Sequence, residues 1–295
     1  KGDDMISIDG NSLTLDEVVR VARQRETVEI SPAGQQQLAA SRAIVDKLLD
    51  SAKPVYGIST GFGNLSQIWI SPEEREALQR NLILSHAAGV GDYLPEDVVR
   101  AAMLMRANSL VKGYSGIRPA TVEMLLELLN RGVYPAVPSK GSVGASGDLS
   151  PLSHIALVLM GEGKAFVAGK LVTGAQALTE VGLSPVAFAA KEGLALINGT
   201  QIMTAVGALV VHDAALLMKA ADIAAAMSLE ALRGTRTAYD ERISRIRPHP
   251  GQLATSANLL KLTDDSRIME SHEHCDKVQD AYSLRCVPQV HGASK

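Results

Sequence analysis

Aromatic side chains are scarce: three Phe, six Tyr and one Trp make up 3% of 295 residues. Ala, Leu and Val recur instead at helical spacing, so the core is expected to be aliphatic and helical. Cysteine is nearly missing. Cys275 and Cys286 lack CxxC spacing, which excludes a disulfide framework and reads as two reduced thiols in a cytoplasmic protein. No charge of one sign dominates, since 29 Lys and Arg face 32 Asp and Glu for a net charge of −3. Without a basic footprint, nucleic acid is not expected as a partner. A long unbroken apolar run is also lacking. The uncharged stretch Gly193 to Val211 holds Asn198, Gly199, Thr200 and Gln201 side by side and runs on into Asp213, Lys219 and Asp222. That pattern fits a buried helix of a soluble protein better than a membrane span. Lys1-Gly2-Asp3-Asp4 is acidic and precedes no apolar run, so no secretory peptide is expected.

What is present is an ordinary soluble composition, 46% hydrophobic and 21% charged, in a chain long enough to bury a sizeable core without metal or disulfide staples. Helix starts recur as a capping residue followed by acids and then apolar residues at i, i+3, i+4 and i+7. Ser71-Pro72-Glu73-Glu74 opens a helix towards Ala88, and Leu94-Pro95-Glu96-Asp97 opens another ending near Gly113. Further helices are expected at about 14–24, 31–51, 118–131 and 151–162, and the longest from about Thr200 to Leu232. That last helix is apolar nearly all round, the mark of a helix inside a bundle. Strand signals are weak: a hairpin over Phe166–Val172 and a short edge strand over Met5–Ile8. There is no βαβ alternation, repeat or low-complexity linker, so the expected fold class is mainly α.

In a helical protein, glycine clusters mark loops where backbone is used directly. Two stand out: Tyr56 to Asn64 and Gly141 to Asp148. Neither contains GxxxxGK[ST], and neither places GxGxxG between a strand and a helix, which leaves a nucleotide site weak. The second loop holds a more specific possibility in Ala145-Ser146-Gly147. With a tight backbone, the Gly147 amide nitrogen reaches the Ala145 carbonyl carbon. Loss of water there and dehydration of Ser146 give a methylidene-imidazolone, an alkene conjugated to a carbonyl. A β-carbon on Gly147 would obstruct the approach. On composition alone, such a loop is a turn.

Gly141-Ser-Val-Gly-Ala-Ser-Gly-Asp-Leu-Ser-Pro-Leu-Ser-His154 resembles the signature of the histidine and phenylalanine ammonia-lyases. Tyr56-Gly-Ile-Ser-Thr-Gly-Phe-Gly63, Leu84-Ser-His-Ala-Ala-Gly-Val-Gly91, Lys191-Glu-Gly-Leu-Ala-Leu-Ile-Asn-Gly-Thr-Gln201 and Gln279-Asp-Ala-Tyr-Ser-Leu-Arg-Cys-Val-Pro-Gln289 match in the same order. The resemblance implies an ammonia-lyase/fumarase-like fold: a long-helix bundle with a loop-rich catalytic head, the head at 1–190 and the start of the bundle at 191–295. It implies the electrophile called MIO (4-methylidene-imidazol-5-one), formed autocatalytically from Ala145, Ser146 and Gly147, with no metal. It further implies loss of ammonia from L-histidine to give urocanate, in a full-length homotetramer of which this chain is an N-terminal portion. Alternatives are a phenylalanine or tyrosine ammonia-lyase or aminomutase of the same chemistry, and a non-catalytic helical scaffold.

Residue roles follow from the same resemblance. Ser146 supplies the alkene carbon that the amine attacks, and Asp148 assists maturation or simply orders the loop. Asn198, read as an N-cap of the long helix, offers amide and backbone donors to a developing oxyanion, beside a second helix start capped by Ser150-Pro151. Tyr56 takes the β-proton. A phenol ordinarily ionises near about 10, so a basic tyrosine needs positive surroundings. Gln279, Tyr282 and Arg285 share a helix face at i, i+3 spacing, with Arg285 forking the substrate carboxylate and the other two orienting the adduct. His86 reads the substrate side chain, as in the histidine-specific members. His272-Glu273-His274-Cys275 crowds metal-ligand types together, but its spacing matches no structural zinc pattern, and a loop leading to Gln279 is the better reading.

Overall fold

The computed structural model describes residues 5–50, 54–61, 63, 67–144 and 146–295. Helix predominates among them and the strands are two to four residues long, the mainly α class expected. The chain packs as two compact units, Lys1–Leu209 and Val210–Lys295.

The first unit opens with β1 (Ile6–Ile8), α1 (Leu15–Gln24), β2 (Val28–Ile30) and α2 (Pro32–Leu49). β1 runs parallel to β2, with Ile6 opposite Val28. Local capping chemistry sets the helix starts. The Thr14 hydroxyl accepts from the Glu17 N–H, and the Glu17 carboxylate accepts from the Thr14 N–H, closing the N-terminus of α1 reciprocally. Ser31 and Pro32 open α2 in the expected place. Ser71 caps a single 3-10 turn, Pro72–Glu74, before α3 (Arg75–His86) begins.

β3 (Val90–Tyr93), α4 (Glu96–Val111), α5 (Pro119–Asn130), β4 (Tyr134–Pro135) and β5 (Pro138–Lys140) follow. α4 runs through the core, with Val99, Ala101, Met103, Leu104 and Ala107 all fully buried. Even Arg100 on this helix is inside, donating to the carbonyls of Val21 and Leu129 near the C-terminal ends of α1 and α5. Carbonyls at helix ends keep acceptor capacity to spare, and the Leu129 carbonyl takes the Gly132 N–H as well, which is why a buried guanidinium is tolerated there.

α6 (Leu149–Leu159), β6 (Lys164–Val167), β7 (Lys170–Thr173), α7 (Gly174–Glu180), α8 (Glu192–Ile197) and α9 (Gln201–Ala231) complete the run. The expected hairpin is β6–β7, turned by Ala168 and Gly169 at φ 47° and 78°, as a two-residue loop requires. It gains a third strand, β4, with Tyr134 stacked on Phe166 at 5.0 Å. α3, α6 and α8 pack against one another through Ile83, Ile155, Leu196 and Ile197.

The second unit holds the greater part of α9, a 3-10 turn Arg236–Tyr239, α10 (Glu241–Arg245), α11 (Pro250–Leu262), α12 (Arg267–Glu270), α13 (Tyr282–Arg285) and α14 (Val287–Ser294). Its small core includes Leu229, Tyr239, Leu259 and Leu284. The Tyr239 hydroxyl donates to the Leu284 carbonyl at 2.8 Å, and burial pushes its pKa up to about 12. α11 and α14 cross at Gly251 and Gly292, where a Cβ on either residue would overlap the other helix's backbone.

α9 is enclosed only in part. Beyond Leu209 it buries a stripe of Asp222, Ala226 and Leu229 and leaves Val211, Leu216, Leu217 and Met227 exposed, so the described chain does not enclose it. Read together with α8, Glu192–Ala231 is long and apolar enough to cross a membrane. The Asn198–Thr200 break and the ion-paired Asp222 interrupt that stretch.

Candidate active site

The loop from Gly141 to Asp148 is pinned, within the first unit, to the turn between α8 and α9. Gly147 has φ +117°, and a Cβ there would overlap the Gly199 carbonyl. The Asp148 N–H donates to that same carbonyl at 2.6 Å. The buried Asp148 carboxylate accepts from the Ser142 hydroxyl at 2.7 Å through one oxygen and from the Met203 N–H at 3.0 Å through the other. Asp148 therefore closes the first turn of α9 from a remote loop, while itself standing at the N-cap position of α6. The starts of α6 and α9 thus meet at Asp148, whose carboxylate caps α9 alone, and their positive ends lie beside the loop. Ser146 is exposed and Gly147 half-buried. Ala145, also assigned to the ring, lies outside the described residues.

Two capping assignments change. Ser150 does not cap α6: it lies inside the first turn, and its Oγ is buried without a partner among the described residues. Asn198 does not cap α9: it ends α8, its N–H donating to the Leu194 carbonyl at 3.0 Å. Capping rules read neighbours in sequence, whereas the cap here comes from another loop.

Arg106 on α4 is the residue that sequence reasoning missed. It donates through Nη1 to the Gln201 Oε1 at 2.8 Å and through Nη2 to the Ala195 carbonyl. Gln201 in turn donates to the Ser109 hydroxyl at 3.3 Å. Burial pushes the Arg106 pKa down to about 10. A lone cation within Ala101-Ala102-Met103-Leu104-Met105-Arg106-Ala107 was the available signal.

Tyr56 is 56% exposed, and its hydroxyl accepts from the Gly63 N–H at 3.3 Å. His86 ends α3, half-buried, with Nδ1 facing the Leu82 carbonyl at 2.8 Å and the Ser85 hydroxyl at 3.1 Å. The carbonyl assigns the proton to Nδ1 and makes Nε2 the acceptor of the neutral ring. Just beyond, the Gly89 N–H donates to His154 Nε2 at 3.2 Å, and burial holds the His154 pKa below its ordinary value.

Gln279, Tyr282 and Arg285 belong to the second unit and do not form the expected helix face. Ala281 is extended, with φ −56° and ψ 144°, so α13 starts only at Tyr282 and Gln279 lies outside it. Tyr282 and Arg285 share that one turn, the guanidinium 6.0 Å from the ring centroid. Arg285 Nε donates to the Asp280 carbonyl at 3.1 Å. Tyr282 is 71% exposed, and its hydrogen bond with Cys286 raises its pKa. Gln279 lines an open polar cleft of about 720 Å3 together with Arg236, Asp264, His272 and Lys277. Both ring nitrogens of His272 face carbonyls, Ile268 at 2.5 Å and Gly234 at 2.7 Å, which leaves neither for a metal. Among the described residues no group of three His, Cys, Asp or Glu side chains is arranged to hold an ion.

The sequence profile described as aromatic amino acid lyase matches residues 13–295. A histidine ammonia-lyase of Gloeobacter violaceus is 55% identical over 291 residues, 99% of this chain and 57% of that protein. The crystal structure of histidine ammonia-lyase from Trypanosoma cruzi superposes with a TM-score of 0.88 at 42% identity, covering 98% of this chain and 54% of that one. A tyrosine aminomutase from Streptomyces globisporus gives the same TM-score at 39% identity, covering 98% and 58%. The backbone alone therefore does not separate a lyase from an aminomutase. This chain spans a little over half the length of these relatives. With the profile running over all but its first residues, the chain belongs to the aromatic amino acid lyase family.

Proposed function

We infer that the whole protein eliminates ammonia from L-histidine to give urocanate, using an MIO group made from Ala145, Ser146 and Gly147. The observation that carries this reading is Gly147. Its φ of +117° and its close approach to the Gly199 carbonyl admit no side chain, which is what ring closure at that nitrogen requires, so the residues fit the group. Identity of 55% to a histidine ammonia-lyase supports the substrate.

MIO supplies an electrophilic alkene that turns the substrate amine into a better leaving group. The chain's own residues do the rest. Asp148 orders the loop, and Asn198 with the neighbouring backbone N–H groups stabilises developing negative charge. Tyr56 accepts the β-proton on its phenolic oxygen. Arg285 holds the substrate carboxylate as a fork, and Gln279 and Tyr282 orient the reacting group. His86 Nε2 accepts the N–H of the substrate imidazole. We further infer a cytoplasmic homotetramer, with residues 1–190 as the head and 191–295 as the start of the bundle, and neither membrane nor nucleic acid as a partner.

Ser146→Ala in the full-length protein tests the chemistry: urocanate formation should vanish while helix content stays unchanged, and activity within about tenfold of the parent would sink the assignment. Substrate choice is tested by ultraviolet assay of L-histidine beside L-phenylalanine. A site that hydrogen-bonds its substrate rejects an analogue lacking the polar group by up to about 10⁴–10⁵. His86→Phe should lower kcat/KM for histidine. The second reading, a tyrosine or phenylalanine lyase or aminomutase, is favoured by the equal superposition on the tyrosine aminomutase; comparable kcat/KM for both substrates would select it.

A further inference from the structure

The turn from Asn198 to Thr200 is gripped twice through a single residue. A Cβ on Gly199 would overlap Arg106 Nη1 and Gln201 Oε1, so the guanidinium lies directly against its Cα. The Gly199 carbonyl meanwhile receives the Asp148 N–H and abuts Gly147. Arg106 also holds both flanks of the turn, the Ala195 carbonyl in α8 and the Gln201 side chain in α9. It is 6% exposed, its bonds go to neutral acceptors, and its Nε has no partner among the described residues.

Burying a cation is costly unless it is paired and hydrogen-bonded, and the acceptors found here are neutral. A hydrogen-bond tie between two helices needs no charge, yet an arginine occupies this place. Its planar fork spans two acceptors on different elements, which a shorter neutral amide does not reach together.

We propose that Arg106 is a positioning residue for the electrophile loop: acting through Gly199, it sets where Gly147 and Asp148 sit and so permits ring closure. The proposal rests on reading Ala145-Ser146-Gly147 as the ring-forming triplet. The bonds of Arg106 go to Gln201 and Ala195, so its effect on the loop is transmitted by one peptide.

The test follows two signals in this chain: hydrogen exchange at the Asp148 amide, and intact mass, since closure removes two waters. Folded Arg106→Met should exchange the Asp148 amide faster by about tenfold or more while α5 amides keep their rates, and should close the ring about tenfold less. Arg106→Lys should recover part of both. Gly199→Ala should reproduce the defect from the other side and add little in the double variant, because both act on one linkage. Exchange and closure matching the parent in folded Arg106→Met would overturn the proposal. Should Arg106→Met fail to fold, Gly199→Ala and Arg106→Lys decide it by the same two signals. A parent chain that never loses two waters counts against the ring-forming reading instead, and Asp148 exchange then judges Arg106 alone.

Discussion

Gly147 and His154 show how much single residues carry here. Ala at 147 meets both a left-handed φ and the Gly199 carbonyl, at a cost of about 1–3 kcal/mol in strain. Gly147→Ala should therefore lower the thermal midpoint modestly and, in the function proposed above, abolish the two-water mass loss. His154 adds a pH dependence. Its Nε2 accepts the Gly89 N–H, a bond the neutral ring makes, and burial depresses its folded pKa below 6.5. The unfolded chain then binds a proton more readily. Stability from this residue is complete above about 6.5 and falls as pH drops through the interval down to the depressed value. Denaturant midpoints measured between about pH 7 and pH 5 should fall in the parent and flatten in His154→Gln. The Ala-Ser-Gly triplet was legible only through the family signature around it, since on composition alone such a loop is a turn. Arg106 was not, because its partners Ala195 and Gln201 lie on elements far along the sequence.

At the scale of elements, what reads from neighbours was legible and what comes from afar was not. α1, α2 and α5 start where their capping and proline signals put them. The β3–β5 pair and β4 escaped because strands of two to four residues show no alternation to read. α13 is shorter than the Gln279 to Arg285 spacing suggests, since the extended Ala281 backbone stops any earlier turn. Asp222 ties three helices of the second unit together. Its carboxylate, 2% exposed, meets His291 Nδ1 at 2.9 Å, Asn258 Nδ2 at 2.8 Å and Lys295 Nζ, and Lys295 also reaches Thr255 at 2.9 Å. The partners of the carboxylate are only partly buried, so the loss from its removal is that of its hydrogen bonds, about 1–3 kcal/mol. Asp222→Asn should thus speed amide exchange in α11 and α14 while leaving α4 and α5 protected. Unchanged exchange there would show the cluster to be dispensable.

For the whole molecule, the apolar surface of α9 dominates behaviour in solution. Leu217 is 68% and Met227 65% exposed, with Val211 and Leu216 beside them in sequence. Exposed apolar faces of this kind drive association. The 295-residue chain should sediment as more than a monomer, and Leu217→Glu with Met227→Glu should shift it towards monomer without loss of helix. The pinning of Gly147 by Gly199 has a temporal consequence as well. The loop acquires its geometry only after the start of α9, made much later in synthesis, has folded against it. In the function proposed here, ring closure is irreversible, so each closed ring is a permanent record that its own chain once folded correctly. Chains that miss the fold remain unmarked and chemically inert, and the fraction of marked chains in a preparation counts its folding successes, even after the sample has been denatured.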